Sequence, residues 1–215
     1  MTTEQKEYIE KNAYLLDDID TWEIFFQNAP NGIGEILHEA CVDFMTVLEY
    51  VPPRAFADCS NITSITIPSG VTSIGRGAFS NCTSLETINI SNTVKSIEPF
   101  AFLHCSNLKN IDLGTGVTSI GGTTFSRCSS LTNITIPKGI TELNEHMFFI
   151  CRDLSQVVIP NSVTRIKVAV FAECPNLSEI IFNGTISEFK NIKKSKGWVN
   201  KNIAIRCLDG DFISN

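Results

Sequence analysis

Residues 71–91 read "VTSIGRGAFSNCTSLETINIS", and three short patterns follow one another in them. Leu85, Ile88 and Ile90 have the L-x-x-L-x-L spacing. Ile88 and Ile90 are two apart, so they point to one side of a strand, while Thr87 and Asn89 point to the other. "VTSIG" reads as a second extended piece, and "GAFSNC" as a turn or a single helical turn. The whole pattern returns every 23 residues without insertion or deletion. Phe56, Phe79, Phe102, Phe125, Phe148 and Phe171 form one column, and Cys59, Cys82, Cys105, Cys128, Cys151 and Cys174 form another three residues on. Leucine and isoleucine columns run beside them, from Ile62 to Leu177 and from Ile65 to Ile180. One such coil cannot bury its own apolar side, whereas stacked coils bury a continuous core. The expected fold is therefore an α/β repeat solenoid: a short, right-handed leucine-rich-repeat array with parallel strands and an α-helical N-terminal cap.

The unit resembles the BspA-like leucine-rich repeat family, whose consensus carries I-x-x-x-A-F-x-x-C-x-x-L, over roughly residues 48–207. The resemblance implies the solenoid fold. It also implies adhesion, the activity associated with the family's bacterial surface members.

The ends differ from the middle. Residues 1–50 contain eleven Asp and Glu against two Lys and Arg, while the remainder has twelve acidic and fifteen basic residues. "TEQKEYIEKNAYLL" and "DTWEIFFQNA" read as helices with capping residues at their starts. Ala29 to Gly32 break the chain, and Ile33 to Val51 resume helical spacing. Three segments follow: an acidic helical cap over 1–50, repeats over 51–189, and a C-terminal cap with a last strand over 190–215. In that last segment Ile203 and Ile205 stand 23 residues after Ile180 and Phe182. Trp198 is placed to cover the final coil.

The composition narrows the function. Net charge is −6, with no interleaving of basic and aromatic residues to suggest nucleic acid. No apolar run reaches the roughly 18 residues of a membrane helix, and "MTTEQKEYIEKNAYLLDD" does not read as a secretory signal. A cytoplasmic protein with no membrane contact and no cofactor is expected. The repeat cysteines share one structural column beside a phenylalanine, which favours buried free thiols over disulfides. Cys41 and Cys207 fall outside the column and are candidates for exposure. No C-x-x-C pair suggests zinc. His38, His104 and His146 occupy unrelated positions, so they do not suggest a catalytic group. "GIGEIL", residues 32–37, lacks the third glycine and the preceding strand of a phosphate loop.

What remains is protein binding, and three sets of residues are candidates for it. The outward strand positions include Asn89, Asn110, Asp112, Asn133, Gln156 and Glu179, turning apolar at Val158 and Ile181. Phe100 and Leu103 replace Gly77 and Ser80 of the neighbouring repeat, and Phe149 and Ile150 replace Ser126 and Arg127. Such apolar departures either mark an interface on the turn edge or tuck into the core. The acidic cap offers Asp17, Asp18, Asp20 and Trp22. The expected function is a non-enzymatic interaction module with a protein partner. In one form it is an intracellular inhibitor of a host protein, as a phage or mobile element would carry; in the other, a bacterial surface adhesin. A homo-oligomer is compatible with both, the basic run Lys190, Lys193, Lys194 and Lys196 facing an acidic partner. An enzyme using the carboxylates of the first fifty residues is the third alternative, and no His or Cys stands at useful spacing for it.

Overall fold

A computed structural model describes residues 7, 11, 49–199 and 202–214. The expected helical cap, with Asp17, Asp18, Asp20, Trp22 and Cys41, lies outside the described residues. Of it Glu7, Lys11, Glu49 and Tyr50 are seen; Glu7 and Lys11 are helical and 3.9 Å apart as an i,i+4 ion pair, while Tyr50 and Val51, the end of the expected helical spacing, are in a strand that pairs with the next coil.

Each coil contributes one longer and one shorter strand, because the apolar period switches twice per repeat. The longer strands are β2 (Ser64–Ile67), β4 (Thr87–Ile90), β6 (Asn110–Asp112), β8 (Asn133–Thr135), β10 (Gln156–Pro160), β12 (Glu179–Asn183) and β14 (Ala204–Cys207). The shorter are β1 (Tyr50–Val51), β3 (Ser73–Ile74), β5 (Ser96–Ile97), β7 (Ser119–Ile120), β9 (Glu142–Leu143), β11 (Arg165–Ile166) and β13 (Lys193–Lys194). Successive coils pair in parallel at the 23-residue offset, for example Ile65↔Ile88 and Gln156↔Glu179. A last strand, β15 (Gly210–Ile213), folds back antiparallel on β14. Among the described residues, the α part of the expected α/β class comes down to Glu7, Lys11 and one six-residue helix, α1 (Ile186–Asn191).

The core is a set of ladders. Phe56, Phe79, Phe102, Phe125, Phe148 and Phe171 stack with centroids 4.9 to 5.6 Å apart and planes within 8° of parallel. Five thiols lie buried beside them: Cys82, Cys105, Cys128, Cys151 and Cys174. Each donates its S–H to the carbonyl of the phenylalanine one coil back, at 2.9 to 3.2 Å. That oxygen also accepts a backbone N–H from the cysteine of its own coil, as Phe79 O does from Cys82 N. Cysteine thus combines small apolar volume with a weak donor aimed at a buried acceptor. Cys59, the first rung, is only half-buried.

Two tight turns flank each phenylalanine. In the second coil Ala78 N donates to Gly75 O, and Cys82 N to Phe79 O. The third residue of each turn has positive φ: Gly77 at 62° and Asn81 at 60°. Type II turns favour Gly or Asn at that position. The backbones of adjacent turns bond to one another, as in Phe79 N to Ala101 O at 2.8 Å.

The sheets are not continuous along the array. The longer strands form the sheets β2-β4-β6 and β15-β14-β12-β10-β8, and the shorter ones β1-β3-β5-β7 and β13-β11-β9. Both therefore part at the same coil junction. Among the described residues, Thr132 N and Thr141 N lack the inter-coil bonds that Ser155 N and Thr164 N make one coil later. Asn144 bridges one gap with its side-chain amide, 2.6 Å from Ile120 O. Ile111 is half-exposed there, whereas Ile88 and Ile134 are buried. On the phenylalanine side the junction stays closed, with Phe102 N bonded to Thr124 O at 3.0 Å.

The C-terminal end departs from the period. The strand partner of Ile180 is Ile205, and that of Glu179 is Ala204. The expected register opposite Ile203 is thus moved by two residues, which keeps side-chain parity. The longer connection through α1 accounts for the shift. Thr185 and Glu188 close a capping box at the start of α1. Lys194 Nζ caps its end, 2.7 Å from Phe189 O and 2.9 Å from Ile192 O, and burial pushes its pKa down. Trp198 is buried and meets the Phe171 ring edge-on at 6.1 Å, ending the aromatic stack.

Candidate functional site

The turn edge is built by the two left-handed positions of every coil. In the first column Arg54, Gly77, Phe100, Thr123, His146 and Ala169 follow one another, and in the second Asp58, Asn81, His104, Arg127, Ile150 and Glu173, all with positive φ. A bulky side chain there is strained, and a β-branched one is an outlier. Phe100 has φ 64° and Ile150 φ 62°. Neither is buried: Phe100, Leu103, Phe149 and Ile150 are all half-exposed. All four are part-covered, so each keeps some surface on the outer edge of the turns.

Their neighbours hold them in place. The Arg76 guanidinium lies over the Phe100 ring at 4.5 Å. His146 meets Phe149 edge-on at 5.5 Å. Leu103 and Phe149 share one column two coils apart, with Ser126 between them and buried. Ser126 Oγ donates to Phe149 O at 3.2 Å. Val168, on the next coil, is 45% exposed. His146 and Val168 were not among the sequence candidates. His146 stands out by its positive φ and Val168 by its exposure, neither of which the sequence shows.

The outer sheet face is placed as its alternation demands. Thr87 pairs with Asn110, and Asn89 with Asp112; Asn133, Gln156 and Glu179 line up, as do Thr135, Val158 and Ile181. The parted sheets separate Asn110 and Asp112 from Asn133. Gln156 donates to Glu179, which pairs with Arg206, and Arg206 lies 4.0 Å from Asp211. Beside this polar chain Val158, Ile181 and Ala204 are half-buried and Ile213 is 57% exposed. The hairpin contributes Ala204, Arg206, Asp211 and Ile213, which sequence reasoning missed because its antiparallel pairing lies outside the repeat.

Other groups stay apart. His104 Nδ1 is 3.2 Å from Asn81 Oδ1, in a different column from His146. Among the described residues no three His, Cys, Asp or Glu side chains converge on a metal position, and no helix is long and apolar enough to cross a membrane. Burial pushes the thiols of Cys105, Cys128 and Cys151 well above the ordinary range, so they are poor nucleophiles. Cys207 is half-buried, its thiol raised by burial and then by Asp209 and Asp211.

Known proteins match this geometry. Six copies of a region described as a BspA type leucine rich repeat match residues 49–178. Among solved structures, a leucine rich cell surface protein of Faecalibacterium prausnitzii is 33% identical with a TM-score of 0.61, covering 63% of this chain and 36% of that one. A leucine rich repeat protein of T. pallidum is 31% identical with a TM-score of 0.58, covering 60% of each chain. A leucine-rich repeat protein of Bacteroides ovatus, 22% identical with a TM-score of 0.51 over 71% of this chain and 45% of that one, shares the fold. The chain thus spans about a third and about three-fifths of the first two structures. No relative is found among curated proteins.

Proposed function

Because the chain belongs to the BspA-type leucine-rich repeat family, we propose that it is a non-enzymatic scaffold that binds a protein partner through its turn edge, centred on Phe100, Leu103, Phe149 and Ile150. The observation that carries this reading is the strain at Phe100 and Ile150. Each holds a bulky side chain at positive φ, Phe100 where Gly77 stands in the preceding coil and Ile150 where Asn81 stands three coils back, and each leaves that side chain half-buried. Backbone strain of this kind costs about 1–3 kcal/mol per residue. Arg76 covers one face of the Phe100 ring, and recognition is the role this reading gives to the part of both side chains left uncovered. Aromatic anchors are the residues that dominate protein interfaces. The outer sheet face, from Asn89 and Asp112 to Glu179 and Ile181, and Asp17, Asp18, Asp20 and Trp22 of the acidic segment are further candidate contacts in this reading.

The test uses variants that restore the ordinary turn residues, Phe100→Gly and Ile150→Asn. Both should raise the urea midpoint while lowering retention of the partner on the immobilised chain. Unchanged retention would assign the four residues to the fold alone.

A second reading places the scaffold at a bacterial cell surface as an adhesin. The similarity to a leucine rich cell surface protein of F. prausnitzii favours it. Protease shaving of intact native cells should then remove the chain, and full protection would reject that placement. An intracellular inhibitor of a host protein would use the same edge, and protection from shaving would favour it.

A further inference from the structure

We propose that β15 is a pairing edge for a second copy of this chain, forming a two-fold dimer through one continuous sheet. β15 is the terminal strand of the five-stranded sheet. Its pairs with β14 fix the phase of its hydrogen bonds: Ser214 N donates to Ile203 O at 2.9 Å, and Phe212 faces Ile205 two residues along. In an antiparallel pair the bonding residues alternate. The N–H and C=O of Gly210 and Phe212 therefore address β14, and those of Asp211 and Ile213 point away from the sheet. Among the described residues nothing bonds to these outward groups.

Apolar side chains stand on both faces of this edge, beside Asp211 on the outer one. Ile213 is 57% exposed on the outer face, continuing the half-buried Val158, Ile181 and Ala204. Leu208, at the hairpin tip, is 77% exposed. Phe212 is half-buried on the inner face, against Phe189 at 5.7 Å and with Lys190 Nζ 5.7 Å from its ring centroid. Edge strands that must stay single commonly carry lysine. The terminal strand of the other sheet does, with Lys193 exposed on β13. The charge on β15 is Asp211, and Arg206 on the neighbouring strand lies 4.0 Å from it.

The pattern selects a copy of itself as occupant. With the two-fold axis at Phe212, Asp211 of each chain opposes Ile213 of the other. Both outward N–H and C=O pairs are then satisfied. The two Phe212 rings meet at the axis as a non-hydrogen-bonded pair, where strands approach closest, about 4.5 Å between Cα atoms. No like charges stand directly opposite. An axis at Asp211 would instead set two carboxylates face to face, which is destabilising. The surface is distinct from the turn edge, so it stands whether or not that edge binds a partner.

Sedimentation velocity of the full chain from low to high micromolar concentration tests this, with amide hydrogen exchange at both extremes. The mass should double, and the Asp211 and Ile213 amides should slow by about tenfold on dimerisation. Ile213→Pro removes an outward N–H without touching the β14 ladder, and Ile213→Lys adds the guard that β13 carries. Both should be monomeric, and the lysine variant should keep the wild-type urea midpoint. A monomer at every concentration would overturn the proposal, even if a foreign strand took the edge. So would a dimer that leaves the Asp211 and Ile213 amides unprotected or that survives Ile213→Lys.

Discussion

Ile150 holds a β-branched side chain at φ 62° on the second turn of its coil, where asparagine occupies the equivalent position 81. Ile150→Asn should therefore stabilise the chain by about 1 kcal/mol, read as a higher urea midpoint at unchanged m-value. A lower midpoint would show that Ile150 packs better than its half-exposure implies. The buried thiols make an opposite prediction for alkaline pH. Their folded pKa values are raised, chiefly by burial. Above about pH 8.5, where free thiols ionise, the unfolded chain binds fewer protons than the folded one. Stability then falls as pH rises, by up to about 1.4 kcal/mol per pH unit for each such thiol. Cys128→Ala should reduce that slope by one proton, while costing about 1–3 kcal/mol at neutral pH because Phe102 O loses a donor and a small void opens. An unaltered slope would mean that Cys128 ionises as readily in the folded chain as in the unfolded one.

At the scale of elements, the strands and the inner and outer faces of each coil were legible because side-chain alternation leaves a period of two in the sequence. The outward columns Asn89–Asp112 and Val158–Ile181 follow from it directly. The turn geometry was legible only as a place. Phe100 and Ile150 stood out by substitution, but positive φ at a non-glycine residue leaves no mark in composition. The parted sheets were illegible, since no residue of β6 or β8 breaks the repeat. They depend on how whole coils pack. The β14–β15 hairpin was missed for a different reason, its partner strand lying beyond the last repeat in antiparallel sense. The parting predicts that the amides of Thr132 and Thr141 exchange faster than those of Ser155 and Thr164, which bond to the preceding coil at 2.8 Å each. Equal protection at the four sites would show the sheets to be closed in solution. At the other end Trp198→Ala should cost about 3–5 kcal/mol by uncovering the Phe171 ring.

For the molecule as a whole, each coil contacts only its neighbours, so stability accumulates along the array and the ends need cover. Such a scaffold tolerates change on its surface without disturbing the ladders beneath. The phenylalanine and cysteine columns repeat because packing requires it. The residues that break the pattern at positive φ are held against a conformational cost, and recognition of a protein is the role assigned to them. The most direct test immobilises wild-type chain and the Phe100→Gly, Ile150→Asn double variant side by side and compares the proteins each retains from native cells. The account predicts a partner held by the wild type and lost by the variant, although the variant is the more stable fold. Equal retention of the same partner, or a variant less stable than the wild type, would contradict it.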